Sequence, residues 1–274
     1  MMERLWAIYS LVVGVCFGSF LNVCISRWPE GLSVIRPRSR CPKCERQITA
    51  LENIPLVSWV ALRGKCRGCG TAISFQYPLV ELAVGCIWLA SYLSYGLSFT
   101  AVRVAVFATV LLGIAITDAI HYLIPDGFTA FGLVWVLITA LMGLFLPSQS
   151  PFAEPYAALI GACTGAGAIA ISGWLGEIVL RKEAMGFGDV TLMAMVGAAV
   201  GPARAILTIF LGALIATIVF LGIVYPFSWL RARQAGAEFE PPQVPFGVFL
   251  APAAMIALLW GDSLLSMYTS SMGL

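Results

Sequence analysis

The run AVRVAVFATVLLGIAIT at residues 101–117 decides the fold of this chain, and an acidic residue, Asp118, follows it directly. The run is close to the roughly 20 apolar residues that a helix needs to cross a bilayer. A carboxylate at membrane depth is unfavourable, so it marks a functional site by default. A second acid, Asp189, follows the turn Gly186-Phe187-Gly188 and opens another apolar run. These two acids predict a paired-acid site inside a membrane protein.

The composition agrees with a membrane protein. Of the 274 residues, 60% are hydrophobic and 11% are charged, whereas soluble domains carry about 25% charged residues. Only helices and closed barrels satisfy the backbone in lipid, and the alternating pattern of barrel strands is absent. The sequence therefore predicts an all-α polytopic membrane protein with about eight transmembrane helices. The predicted spans are Leu5–Ile25, Leu79–Tyr95, Ala101–Thr117, Phe128–Leu146, Ala157–Leu180, Val190–Val200, Ala203–Trp229 and Val248–Met267.

The positions of the basic residues predict the orientation. Thirteen of the sixteen lysines and arginines lie in three regions: nine between residues 26 and 77, two after the fifth span (Arg181 and Lys182) and two after the seventh (Arg231 and Arg233). With eight spans these regions share one side, which the positive-inside rule makes cytoplasmic. Both termini are then periplasmic. No small-residue cleavage site precedes the basic loop, so the first span is expected to stay as an uncleaved helix.

The loop between the first two spans carries two Cys-x-x-Cys pairs with 21 residues between them, Cys41/Cys44 and Cys66/Cys69. This spacing is typical of a structural zinc site with four thiolates. The alternatives are disulfides or reduced cysteines without a metal, and a cytoplasmic loop argues against disulfides. The loop has few large apolar residues, so a metal would substitute for a core that it cannot build.

Two further acids are candidates for the site. Asp126 stands in Pro125-Asp126-Gly127 before an apolar run, where a turn leading to a helix N-cap explains it equally well. Glu81 lies about one turn into the second span and is expected to contact either the acidic site or basic residues of the loop. Asp118 has no capping explanation, because it ends a helix. Asp189 starts one, so the two acids have the different environments that an acid/base pair needs.

Taken together, these segments resemble bacterial type IV prepilin peptidases, which are intramembrane aspartyl proteases with a Gly-x-Gly-Asp motif. The resemblance runs in order along nearly the whole chain. Presenilin-like proteases share Gly-x-Gly-Asp but pair it with Tyr-Asp, whereas Asp118 follows Thr117 here. The matching segments are residues 18–23 (GSFLNV), both cysteine pairs, residues 52–58 (ENIPLVS), 77–82 (YPLVEL), 118–126, 183–189 (EAMGFGD) and 245–247 (PFG).

The resemblance implies an enzyme that removes the leader of type IV prepilins or type II secretion pseudopilins at the cytoplasmic face of the bacterial inner membrane. It implies Asp118 and Asp189 as the catalytic pair, with Gly186 and Gly188 as motif support and Asp126 as a recurrent acid that is not catalytic. It further implies methylation of the new N-terminal amine with S-adenosylmethionine, for which Glu52 and Gly64 are the candidate residues.

The resemblance also implies a division of the chain. Residues 1–25 form the first helix, 26–77 a cysteine loop associated with methylation, and 78–274 a seven-helix peptidase domain. The expected partners are the pilin substrates and the lipid bilayer, with no nucleic acid. A transporter with a carboxylate proton relay and a non-catalytic assembly factor are the rival functions.

Overall fold

Each of the eight predicted apolar runs forms a helix in the computed structural model, which describes residues 2–146, 150–181, 185–235 and 243–272. Lys182 and residues 183–184 of the matched segment lie outside these ranges. Within the described ranges no β-strand is present, only two isolated bridges. The prediction of an all-helical membrane protein is confirmed. The helices are α1 (Met2–Arg27), α2 (Val57–Ala61), α3 (Gln76–Tyr95), α4 (Phe99–His121), α5 (Asp126–Gly143), α6 (Pro155–Leu180), α7 (Phe187–Val200), α8 (Pro202–Val219), α9 (Tyr225–Ala235) and α10 (Gly247–Ser271).

Seven of these helical segments are long and apolar enough to cross a membrane. One of them joins α8 to α9 through a π-helical segment, Phe220–Val224, and matches the seventh predicted span. The eighth apolar helix, α7, has 14 residues. At 1.5 Å per residue it is about 21 Å long, which is shorter than a hydrocarbon core of about 30 Å.

The chain divides into two compact units, Met1–Gly113 and Ile114–Leu274, with the boundary inside α4. In the first unit, α1 packs closely along α3. Gly14 and Gly18 make this approach possible, since a Cβ on either would lie 2.6 Å from an atom of Trp88 or Glu81. The Trp88 ring stacks on Phe17 at 4.6 Å between centroids.

The loop between α1 and α3 is not a simple coil. It contains a 3₁₀ turn, Leu51–Asn53, and the five-residue helix α2. The isolated bridges Arg40–Gln47 and Lys65–Ala72 close the two cysteine turns. Neither short helix was predicted from the sequence, because both are too short to show a periodic pattern.

In the second unit, α7 is the most buried helix. Leu192, Met193, Met195 and Val196 are fully enclosed. Backbones of α6 and α7 touch at Gly161, Gly165 and Gly197, where an added Cβ would overlap a carbonyl group of the facing helix. Small residues allow such close contact between membrane helices. This packing fixes the helix that carries Asp189.

Candidate active site and metal centre

Asp118 lies in the last turn of α4, with only 5% of its surface exposed. Its Oδ2 accepts a hydrogen bond from the backbone N–H of Val248 at 3.2 Å. Val248 is the second residue of α10, so the donor is one of the N–H groups that a helix start leaves without a partner inside the helix. The start of α10 therefore fixes the carboxylate of Asp118.

Asp189 is the third residue of α7 and is half-buried. Its backbone N–H donates to the carbonyl of Gly186, at 3.1 Å, in the turn that begins the helix. Its carboxylate is close enough to Asp118 for a direct electrostatic interaction. The structure thus brings the two predicted acids together within the second unit.

Ile124, a buried residue of the segment between α4 and α5, packs between the start of α7 and the start of α10. A Cβ on Gly188 would lie 2.9 Å from Cβ of Ile124, and a Cβ on Gly247 would lie 3.0 Å from its Cδ1. Gly188 therefore allows Ile124 to pack closely against α7 beside Asp189. Gly186 forms the N-cap of α7 in an extended conformation, and an added Cβ there would lie 3.9 Å from Oδ2 of Asp189.

Asp126 is the first residue of α5, and its side chain is exposed. No side-chain capping hydrogen bond starts α5, so the expected N-cap contact is not formed. Among the described residues no hydrogen bond or ion pair links Asp126 to Asp118 or Asp189. Its position in the first helical turn is favourable for a carboxylate because of the helix dipole.

Gly247 and Val248 contact the site, although neither was predicted to have a role there. A Cβ on Gly247 would lie 2.9 Å from Oδ2 of Asp118, so only glycine leaves room for the carboxylate. The available signal was the segment Pro245-Phe246-Gly247 directly before the last span. Asp118 and Asp189 interact electrostatically, and two carboxyl groups coupled in this way can share one proton, which is the basis of acid/base catalysis by two aspartates.

The four loop cysteines form a second centre, in the first unit. Their sulfur atoms all lie within 4.8 Å of one another, and Sγ of Cys41 is 3.8 Å from Sγ of Cys69. A tetrahedral zinc ion with Zn–S bonds of about 2.3 Å has sulfur atoms roughly 3.8 Å apart, so the donor set fits the ion. A hydrogen bond with the Thr71 hydroxyl lowers the pKa of the Cys69 thiol to about 6, which favours the thiolate that binds metal.

The two cysteine turns have the same backbone pattern. The N–H of Cys41 donates to Arg46 and the N–H of Cys66 donates to Thr71, each five residues on. Glu45 and Gly70, which stand four residues after the first cysteine of each turn, both have a positive φ, of 56° and 71°. Each turn therefore presents its two sulfur atoms in the same way.

Glu52 is tied to the first cysteine turn. Its carboxylate accepts two hydrogen bonds from Nη2 of Arg46, at 2.9 and 3.0 Å, and further bonds from the N–H and hydroxyl of Thr49. The Thr49 backbone N–H and the Arg46 guanidinium lower the pKa of Glu52 to about 2. The side chain of Glu52 is largely buried and negatively charged, so its ion pair with Arg46 stabilises this part of the loop.

Glu81 and Gly64 support the loop in different ways. The Oε2 atom of Glu81 accepts a hydrogen bond of 2.7 Å from the backbone N–H of Leu56. The side chain of Glu81 therefore contacts the backbone of the loop. Gly64 has a φ of +66°, and a Cβ there would lie 2.9 Å from Cζ2 of Trp59. Gly64 therefore leaves the space that the Trp59 ring occupies.

Comparisons with known proteins identify the family of this chain. Residues 12–95 match the Bacterial Peptidase A24 N-terminal domain, and residues 105–221 match the Type IV leader peptidase family. Three relatives are named prepilin leader peptidase/N-methyltransferase. The relative from Stutzerimonas stutzeri is 38% identical over a region that covers 94% of this chain and 92% of the relative. The relative from Pseudomonas aeruginosa is 37% identical over a region that covers 96% of this chain and 93% of the relative. The one from Bacillus subtilis is 32% identical over 94% of this chain and 95% of its own.

No solved structure matches the chain. The relatives nevertheless cover almost its whole length at more than 30% identity. The chain therefore belongs to the family of prepilin leader peptidase/N-methyltransferases.

Proposed function

We propose that this chain removes the leader peptide of type IV prepilins or type II secretion pseudopilins with Asp118 and Asp189, and then methylates the new N-terminal amine. The observation that carries the peptidase proposal is the meeting of these two acids, which both lie in the region matching the leader peptidase family. The relatives' shared name supports both activities. The transporter alternative has no support in the comparisons.

The proposed peptidase chemistry is general acid/base hydrolysis. One carboxylate takes a proton from a water molecule, whose oxygen attacks the scissile carbonyl carbon. The protonated partner then gives its proton to the leaving amine, and the carbon–nitrogen bond breaks. The N–H of Val248 keeps Asp118 oriented towards this reaction. No covalent intermediate is required.

The test is leader removal by membranes that contain the protein and a prepilin. The Asp118→Asn and Asp189→Asn proteins should each reach the membrane. Each should cleave at least about a hundredfold more slowly than the unaltered protein, because each substitution removes one proton-transfer group. Asp126→Asn is the matched control and should retain appreciable activity, since Asp126 is exposed at the start of α5. Normal processing by either of the first two variants would eliminate the proposed pair.

The proposed location is the bacterial inner membrane, with the active site on the cytoplasmic side and both termini periplasmic. The clustering of basic residues in three regions supports this orientation. Within the chain, we assign residues 26–77 to the methylation function and residues 78–274 to the peptidase function.

For the cysteine centre we propose one structural zinc ion bound by Cys41, Cys44, Cys66 and Cys69. The sulfur separations support this assignment. The purified protein should contain one zinc equivalent per chain, and Cys66→Ser should lose it, whereas Cys163→Ser on α6 should not. A full zinc content in Cys66→Ser would refute the assigned ligands.

For the second activity, S-adenosylmethionine would supply the methyl group: the amine nitrogen bonds to the methyl carbon, the carbon–sulfur bond breaks, and S-adenosylhomocysteine and a proton leave. Glu52 and Gly64 are the residues assigned to this activity, as supports of the loop. Their contacts with Arg46 and Trp59 are consistent with such a role.

A further inference from the structure

We propose that a cavity in the first unit, beside the cysteine centre, binds S-adenosylmethionine. Glu81 provides the negative charge that faces the positively charged sulfur of this methyl donor. This inference rests on the methyltransferase part of the proposed function. It adds a place for the donor and extends the methylation function from residues 26–77 to Glu81, near the start of the segment assigned to the peptidase; neither follows from the family match.

The cavity has a volume of about 520 Å³, which is within the range of about 300–1,000 Å³ for small-molecule sites. It lies wholly within the first unit, between the ends of α1 and α3 and the loop that joins them. The residues that line it include Asn22, Glu81, Leu56, Trp59, Arg40 and Arg67.

Glu81 is a buried acid with an incomplete set of partners. Only 8% of its surface is exposed, and Oε2 is occupied by the N–H of Leu56. Within the described residues Oε1 accepts no hydrogen bond, and no lysine or arginine forms an ion pair with Glu81. A buried carboxylate is unfavourable unless it is paired, so a cationic ligand in the cavity would complete its environment.

The backbone beside Glu81 is strained. Leu56 has a φ of +59°, which is rare for a bulky residue that is not glycine. Its N–H is held by Glu81, and nearby Asn22, only 4% exposed, donates from Nδ2 to the carbonyl of Tyr77 at 3.0 Å. Strained backbone that is held by buried polar groups is typical of ligand sites.

Other lining groups match the remaining parts of the donor. Arg40 offers a guanidinium group for its carboxylate, as does Arg67, whose Nη1 also lies 3.7 Å from Oε1 of Glu52. Trp59 offers an aromatic wall for its purine, and the ring fits beside Gly64 and is held by a hydrogen bond from Nε1 to the carbonyl of Ile73. The N-terminal ammonium of a cleaved pilin would also suit Glu81, but it brings no purine to fill the cavity.

The test measures donor binding by the full-length protein in lipid nanodiscs, without pilin. The probes are labelled S-adenosylmethionine, whose sulfur carries a positive charge, and S-adenosylhomocysteine, whose sulfur is neutral. Glu81→Gln keeps an acceptor for the N–H of Leu56 but removes the charge. It should weaken binding of S-adenosylmethionine at least about tenfold, equivalent to about 1.4 kcal/mol, and leave S-adenosylhomocysteine almost unchanged, because only the charged sulfur is attracted to the Glu81 carboxylate.

The matched control is Glu30→Gln, since Glu30 is exposed in the same loop and does not line the cavity. Leader removal by Glu81→Gln reports that the variant is folded, and ultraviolet cross-linking of the labelled donor should mark the peptide that spans residues 51–81. Equal weakening of both ligands, unchanged binding, or no binding by the unaltered protein would each overturn the proposed site. Asp118→Asn should bind the donor and cut nothing, so a failure of the peptidase proposal is seen separately.

Discussion

Asp118 is positioned by residues that the sequence places about 130 positions away. Val248 donates a hydrogen bond to it, and Gly247 leaves the space that its carboxylate occupies. Considering α4 alone, a carboxylate at its end faces the unfavourable pole of the helix dipole. The start of α10 offers the opposite pole and an N–H donor. The sequence identified Asp118 as unusual, but this compensating contact depends on tertiary packing.

Gly247→Ala tests how closely Asp118 must be positioned. The new Cβ would lie 2.9 Å from Oδ2 of Asp118, so the carboxylate has to move. We expect leader removal to fall by roughly ten- to a hundredfold, because small displacements of a catalytic group have effects of this size. The measurement is the cleavage rate at equal amounts of membrane-inserted protein.

Gly167→Ala is the matched control for this substitution, since nothing lies within 4 Å of a Cβ at Gly167. It should cleave at the normal rate. If Gly247→Ala does the same, then the contact between α10 and Asp118 does not contribute to catalysis.

Among the helices, the close pair formed by α6 and α7 is the most sensitive to side-chain size. Gly161 lies against the carbonyl of Gly197, and Gly165 against the carbonyl of Met193. Because α7 carries Asp189 in its first turn, the packing of this pair fixes one of the two acids. Backbone contact of this kind leaves no space for even a methyl group.

Gly161→Ala should therefore destabilise the second unit by about 1–3 kcal/mol, the usual effect of overpacking. The measurement is the thermal midpoint of unfolding in detergent. Gly167→Ala on the same helix is again the control and should leave the midpoint unchanged or raise it slightly, because alanine favours a helix. A Gly161→Ala protein as stable as the control would contradict the close packing.

The helices show what could be predicted from the sequence. All eight apolar runs were located, since length and hydrophobicity are sufficient for membrane helices. The bounds were less certain: α4 continues to His121, so Asp118 lies inside its last turn and not beyond its end. The π-helical segment before α9 and the short helix α2 leave no clear hydrophobic pattern.

Considering the whole molecule, each compact unit contains one of the two chemical centres. The cysteine centre and the cavity beside it lie within the first unit, and the two acids lie within the second. Sequence spacing was sufficient to group the four cysteines. It could not group Asp118 with Asp189, which are 71 residues apart in the sequence. Their meeting depends on how α4, α7 and α10 pack.

The role of Glu81 also required the three-dimensional arrangement. The sequence placed it one turn into a span and suggested either the acidic site or the basic loop as its partner. The structure gives it a backbone partner, Leu56, and a place in the wall of a cavity. Neither the strained φ of Leu56 nor the cavity leaves a signal in the local sequence.

The proposed peptidase mechanism requires Asp118 and Asp189 to act on one water molecule as a coupled acid and base. The most direct measurement is the pH dependence of kcat/KM for leader removal. We predict a bell-shaped profile with an acid and an alkaline limb, because only the pair that holds a single proton is active. Asp126→Asn should keep both limbs. A profile with one limb, depending on a single ionisation, would contradict this mechanism.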